Sequence, residues 1–212
     1  MTLGIAIPTY DGHMYNLENL LYQISNSTVI PQQVSVSISS LDYEFEPKKY
    51  PFELICSTTS EFKNVSQNCN ISASKLSTDI ISFFGGDDVP HIKRNEYLVQ
   101  SFESGCDAVV HNYIINPNKK LTEFNSDIEQ LDFYLDYVDT SHNENYHPHS
   151  SKEINICYAG GPISVKNEIY QKYKYNEDNS IFKREDAFYN SNLIKNGIKI
   201  SYIRNPLMIY IH

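Results

Sequence analysis

Two adjacent carboxylates, Asp87 and Asp88, follow the apolar run Ile80-Ile81-Ser82-Phe83-Phe84 through Gly85 and Gly86. Side by side, they supply hard oxygen ligands for Mn²⁺ or Mg²⁺, and a phosphate can complete the coordination. An apolar run of this length reads as a strand buried in a parallel sheet. Ligands of open α/β sheets gather beyond the carboxyl ends of such strands. The segment outlines a site for a nucleotide diphosphate and its metal. The competing reading is a turn and helix N-cap ahead of Val89-Pro90, where Asp is favoured. That reading accounts for one aspartate but poorly for two.

Other candidate residues lie elsewhere along the chain. Thr9-Tyr10-Asp11 leaves a strand at Leu3–Pro8. Tyr10 offers a ring for stacking on a base and Thr9 a hydroxyl or backbone contact, although Pro8 and Gly12 also suit an ordinary turn. Glu185-Asp186 opens a helix, where the dipole alone favours carboxylates. Gly160-Gly161 permits close approach of backbone and ligand, or marks a bulge. His142, His147 and His149 have ligand-like spacing, but they fall in a polar stretch that fits a flexible loop better.

The elements that must position these residues alternate between strand and helix, the pattern of a parallel sheet covered by helices. Strands are expected at Leu3–Pro8, Gln33–Ser39, Glu53–Cys56, Ile80–Phe84 and Asp107–His111. Helices are expected at Asn16–Ser25, Val65–Leu76 and Ile92–Ser104, the last closed by Gly105 in a left-handed cap. Residues 116–153 are polar and loop-rich, with one helical candidate at Ile128–Tyr137. Order resumes at Ile154–Val165, followed by helices at Asn167–Tyr173 and Glu185–Asn196. Gly197 ends the second of these, and strands follow at Ile198–Ile203 and Leu207–Ile211. With no internal repeat and no linker, one domain is expected.

The bulk properties narrow the function. The 212 residues are 41% hydrophobic and 20% charged, with a net charge of −9, ordinary for a soluble domain. No Lys/Arg-rich tract is present, which argues against nucleic acid as a partner. No run approaches the roughly 18 apolar residues of a membrane helix, and Met1 leads directly into a strand without a signal-peptide pattern. The expected location is the cytoplasm. Cys56, Cys69, Cys106 and Cys157 lack metal-type spacing and read as reduced, buried thiols.

Four segments together resemble GT-A-fold glycosyltransferases, in particular the family 2-like inverting enzymes. They are Ile5-Ala6-Ile7-Pro8-Thr9-Tyr10-Asp11, Phe83–Asp88, Tyr158-Ala159-Gly160-Gly161-Pro162-Ile163-Ser164-Val165, and Arg184-Glu185-Asp186-Ala187-Phe188. Their order spans nearly the whole chain. The small size and the Asn/Ile/Tyr-rich composition also resemble glycosyltransferase domains of large DNA viruses, which would place the protein in host cytoplasm.

The resemblance implies a GT-A domain, Rossmann-like, with a mostly parallel central sheet flanked by helices. Residues 1–112 would bind the nucleotide-sugar and residues 113–212 the acceptor. The implied reaction is metal-dependent, inverting transfer from a UDP-sugar to a hydroxyl acceptor such as a glycan. Pro8, Thr9, Tyr10, Asp11, Ser40, Asp42, Lys63 and Asp87 would bind the donor. Asp87 and Asp88 would hold Mn²⁺ or Mg²⁺, with His212 as a further ligand. Asp186 would be the base, with Glu185, Gly160 and Gly161 at the acceptor.

The chain departs from the family twice. Gly85 stands where the acidic motif has its first Asp, and Ser39-Ser40 where an acidic pair reads the base. These departures leave open a non-catalytic nucleotide-sugar-binding module. A nucleotidyltransferase of related layout needs a Gly-rich basic loop after the first strand, which Pro8-Thr9-Tyr10-Asp11-Gly12 lacks. The sequence is compatible with a whole protein or with one domain of a larger chain.

Overall fold

The computed structural model describes residues 1–41, 45, 48–116, 133–134, 163–178 and 185–211. Among these, nine strands form one sheet in the order β3-β2-β1-β4-β8-β6-β9-β5, with β7 also pairing β9. The strands are β1 Leu3–Tyr10, β2 Gln33–Ser39, β3 Glu53–Thr59, β4 Ile80–Phe83, β5 Val89–Pro90, β6 Ala108–Asn116, β7 Phe133–Tyr134, β8 Ser164–Lys166 and β9 Ile200–Ile211. The long strands pair in parallel, β1 with β2 and β4, β2 with β3, and β6 with β9. Antiparallel pairing is confined to the short strands β5, β7 and β8.

The helices are α1 Met14–Ser25, α2 Val65–Ala73, α3 Arg94–Glu103, α4 Asn167–Lys172 and α5 Glu185–Lys195. Side chains alternate across a strand, so β1 serves two cores. Ile5 and Ile7 pack with Leu17, Leu20, Leu21 and Ile24 of α1, while Ala6 faces Cys69 and Ala73 of α2. Leu3 and Ile80 pack under Leu98 and Phe102 of α3. On the opposite face, Ile81 and Phe83 join Ile169 and Tyr170 of α4 and Tyr189 and Leu193 of α5. The sheet is thus the middle layer of three, which is why β4 reads as an apolar run and why even the serines of β2, which alternate with Val34, Val36 and Ile38, are buried. Edge strand β3 is only half-buried and carries Ser57, Thr58 and Thr59, as suits an edge.

The expected caps are present: Gly105 and Gly197 take φ of 101° and 77° after α3 and α5, conformations that glycine adopts without a Cβ penalty. Cys56, Cys69 and Cys106 are free thiols, though only Cys69 is fully buried.

Three expectations are corrected. Phe133–Tyr134, inside the expected helix Ile128–Tyr137, forms strand β7 against β9. The apolar spacing there fits a helix, but aromatic residues pair readily on a sheet and tertiary pairing decides. The two expected C-terminal strands are one, Ile200–Ile211. Asn205-Pro206 reads as a break, yet Pro206 falls opposite Asn112 where the β6–β9 register shifts. That irregularity absorbs the missing proline N–H. Finally, Val89–Pro90 is a short strand on β9, and α3 begins at Arg94 with Lys93 at its N-cap. Neither Asp87 nor Asp88 caps that helix.

Candidate active site

The carboxyl ends of β1 and β4 open into a cleft of about 480 Å³. It is lined by Pro8, Thr9 and Tyr10 from β1, by Gly85, Gly86, Asp87 and Asp88 from the turn after β4, by Lys63 before α2, and by Glu185 and Asp186 at the head of α5. Thr9 and Asp186, 177 positions apart in sequence, thereby share one cavity. Asp11 and Ser40 do not line it. Asp42, Gly160, Gly161, His142, His147, His149 and His212 lie outside the described residues.

The two glycines explain the shape of the acidic turn. A Cβ at Gly86 would fall on the Thr9 hydroxyl, so glycine lets the turn close against β1. A Cβ at Gly85 would sit 2.5 Å from Asp88 Oδ2. The departure from the family motif at position 85 is therefore the space that the Asp88 carboxylate occupies.

The Ile211 N–H of β9 donates to Asp88 Oδ1 at 3.2 Å, across 123 residues. Burial, then the adjacent Asp87 charge, push the Asp88 carboxyl well above the usual carboxylate range. The Ile211 N–H and Arg94 oppose this, and the Asp186 charge adds to it. Burial likewise raises Asp87, against the pull of His13, whose Nε2 lies 3.5 Å from Asp87 Oδ2. The His13 ring packs on Tyr10 with centroids 4.3 Å apart.

Two neighbouring carboxylates, buried beyond what their hydrogen bonds offset, form a site that a hard divalent cation would relieve. The donor set fits Mn²⁺ or Mg²⁺ in chemistry, although the described residues contain no cluster of three His, Cys, Asp or Glu side chains. The Ile211 N–H on Asp88 brings the end of β9 against the acidic turn.

Two polar networks hold the strand ends, one from the cleft wall and one from beneath the acidic turn. Asn68 of α2 donates to Ser39 Oγ at 3.1 Å and to the carbonyls of Thr9 and Lys63, each at 3.3 Å. Its Oδ1 accepts from Ser37 Oγ at 2.8 Å. Ser39 is thus engaged with α2, and Ser40 turns away in the left-handed region at φ 58°. Asn64 and Gln67 form a reciprocal capping box at the head of α2, which sets Lys63 at the cleft mouth. Lys63 Nζ also pairs with Glu61 Oε2 at 2.7 Å.

The second network centres on Arg94, 1% exposed beneath the acidic turn. It donates to His111 Nε2 and to Ser82 Oγ, both at 2.8 Å, and lies over the Phe84 ring at 4.7 Å. Burial lowers the guanidinium to about 9, with Asp88 opposing, so it remains charged at neutral pH. Burial and the Arg94 charge hold His111 well below its ordinary value. The imidazole is neutral and accepts at Nε2, leaving Nδ1–H to donate to the Asn112 carbonyl at 2.8 Å.

Sequence reasoning missed Arg94, His13 and Tyr175. A buried arginine in an amphipathic helix looks like a surface residue, and Tyr175 lies in a polar stretch without periodicity. His13 carried a signal, since its short turn had to return beside Tyr10.

No family model and no curated protein sequence matches the chain. Solved structures of S. aureus TarS do match in fold. The TarS 1–349 structure with UDP aligns with a TM-score of 0.67 at 10% identity, covering 100% of this chain and 61% of that one. The form with UDP-GlcNAc gives 0.68 at 12%, covering 100% and 59%. A longer TarS chain gives 0.65 at 11%, with this chain spanning 37% of it. The α/β architecture expected from the sequence, a mostly parallel sheet flanked by helices, is the one these structures share.

Proposed function

We propose that this chain transfers a sugar from a nucleotide-diphosphate donor, UDP-sugar foremost, to a hydroxyl acceptor, with inversion. One observation carries the reading. The sheet brings Thr9-Tyr10, Asp87-Asp88 and Glu185-Asp186 into one cleft at the strand ends, on a fold shared with a protein solved with UDP and UDP-GlcNAc. The identity of 10–12% speaks for the fold; the function rests on the cleft.

In this reading Tyr10, 44% exposed at the rim, stacks on the base. Asp87 and Asp88 would hold Mn²⁺ or Mg²⁺, an ion that would supply positive charge to offset that of the departing diphosphate. Lys63 at the mouth adds a positive charge near the phosphates. Asp186 takes the proton of the acceptor hydroxyl as its oxygen bonds to the anomeric carbon and the bond to the diphosphate oxygen breaks. Glu185, one residue earlier on the same helix, orients the acceptor. This is a single in-line displacement without a covalent enzyme intermediate, and it inverts the configuration.

Calorimetric titration with UDP, with and without Mn²⁺, tests the donor site. Metal-dependent binding that disappears in Asp88→Ala is the expected result, and binding indifferent to metal would overturn the metal assignment. Asp186→Asn should keep UDP affinity and reduce transfer by about 10²-fold or more. Intact transfer in that variant would remove Asp186 as the base.

A further inference from the structure

One residue of the cleft wall has no part in the reaction above. Tyr175 is 3% exposed, yet it lines the cleft beside Glu185 and Asp186. Its buried hydroxyl has no hydrogen-bond partner. Buried polar groups are nearly always paired, so an exception calls for an explanation.

The side chain is held from three directions. Asn70 of α2 clamps the backbone: its Oδ1 accepts from Tyr175 N–H at 3.1 Å, and its Nδ2 donates to the Tyr175 carbonyl at 2.9 Å. The ring stacks on Tyr189 of α5, with centroids 4.1 Å apart and planes at 7°. Phe83 at the end of β4 meets it edge-on at 5.0 Å. A ring fixed by α2, β4 and α5 has little freedom to seek a partner inside the protein.

We propose that the Tyr175 hydroxyl is a preorganised hydrogen-bond donor to the sugar ring of the bound nucleotide-sugar, and so a specificity residue of the donor site. The inference rests on the glycosyltransferase reading above. Burial, followed by the Asp186 charge, pushes the phenol well above its ordinary range, so the group stays protonated and donates. A sugar presents hydroxyl oxygens that accept such a bond, whereas UDP alone places nothing beyond its phosphates. Tyr189 supplies the internal control, for its hydroxyl is also buried and unpaired, but it does not line the cleft.

The test compares wild type, Tyr175→Phe and Tyr189→Phe by calorimetry with UDP, UDP-GlcNAc and UDP-glucose in Mn²⁺, alongside thermal unfolding of the ligand-free proteins. Phenylalanine keeps the stack. Tyr175→Phe should leave UDP affinity within about twofold and weaken the preferred UDP-sugar by about three- to tenfold. Its ligand-free Tm should hold or rise, and Tyr189→Phe should bind like wild type. Equal effects on UDP and UDP-sugar, no effect on either, a fall in Tm for Tyr175→Phe, or a wild type that gains nothing from the sugar would each overturn the proposal while leaving the donor site standing. Failure of UDP to bind wild type would overturn the glycosyltransferase reading, and this inference with it.

Discussion

The buried polar groups around the cleft fall into two sets that behave oppositely. Asn68, although it lines the cleft, and Arg94 beneath the acidic turn give their hydrogen bonds to protein partners. In the same cleft the Thr9 and Tyr175 hydroxyls have no partner, and Asp88 is buried as a carboxyl that resists ionisation. The first set is what folding needs, and the second is what folding leaves for a ligand. A buried donor or acceptor without a partner opposes folding by about 1–3 kcal/mol, so the second set is retained against stability. Removing a member of the first set should destabilise the protein; removing a member of the second should keep or raise its stability while weakening ligand binding.

The largest effect should come from Arg94→Ala, which strands His111 Nε2, leaves Ser82 with only its Ser164 partner and opens a cavity beneath the acidic turn. Chemical denaturation should show a loss of about 3–5 kcal/mol. A loss below about 1 kcal/mol would place Arg94 outside the framework. Asn68→Ala breaks contacts to β1, β2 and the loop before α2 together and should lower stability by about 2–3 kcal/mol.

Asp88→Asn separates the two sets by sign. A carboxyl raised in the folded state adds stability when protonated, and that contribution is lost as pH rises through the folded-state value. Ligand-free wild type should therefore lose this contribution on going from acid toward neutral pH, and the variant should not. At pH 7, Asp88→Asn should melt roughly 2–4 °C higher while losing metal-dependent UDP affinity. A lower Tm at pH 7 would mean that the charge of Asp88 supports the fold, and the contrast would fail. The smallest effect belongs to Ser40, whose φ of 58° is strained for a residue with a Cβ. Ser40→Gly should add about 0.5–1 kcal/mol without changing UDP binding, since Ser40 is not in the cleft.

Much of this arrangement was legible in the sequence, for reasons that differ by element. Strands β1, β2 and β4 and helix α1 carry burial on both faces or one clear apolar stripe, so their patterns survive folding unchanged. Asp87-Asp88 stood out because a strand end needs no paired carboxylates, and the structure removed the N-cap alternative by placing β5 between them and α3. The second set of site features was hidden. Nothing local marks Arg94 as buried, because its partners His111 and Ser82 come from β6 and β4. Tyr175 is positioned by Asn70, 105 residues earlier, and such a clamp has no sequence period. The Gly85 departure was legible as a loss but not as an accommodation, because its meaning depends on where the Asp88 carboxylate lies.

The hydrogen bond from Ile211 to Asp88 also sets a timetable for the nascent protein. A ribosome releases β1, β4 and the acidic turn long before β9, so Asp88 waits in an incomplete setting while more than half of the polypeptide is still being made. Donor recognition should consequently appear late and abruptly during synthesis, when β9 slots between β6 and β5. Nascent chains stalled before that strand emerges would contain most of the residues proposed to face the nucleotide yet be poor ligand binders.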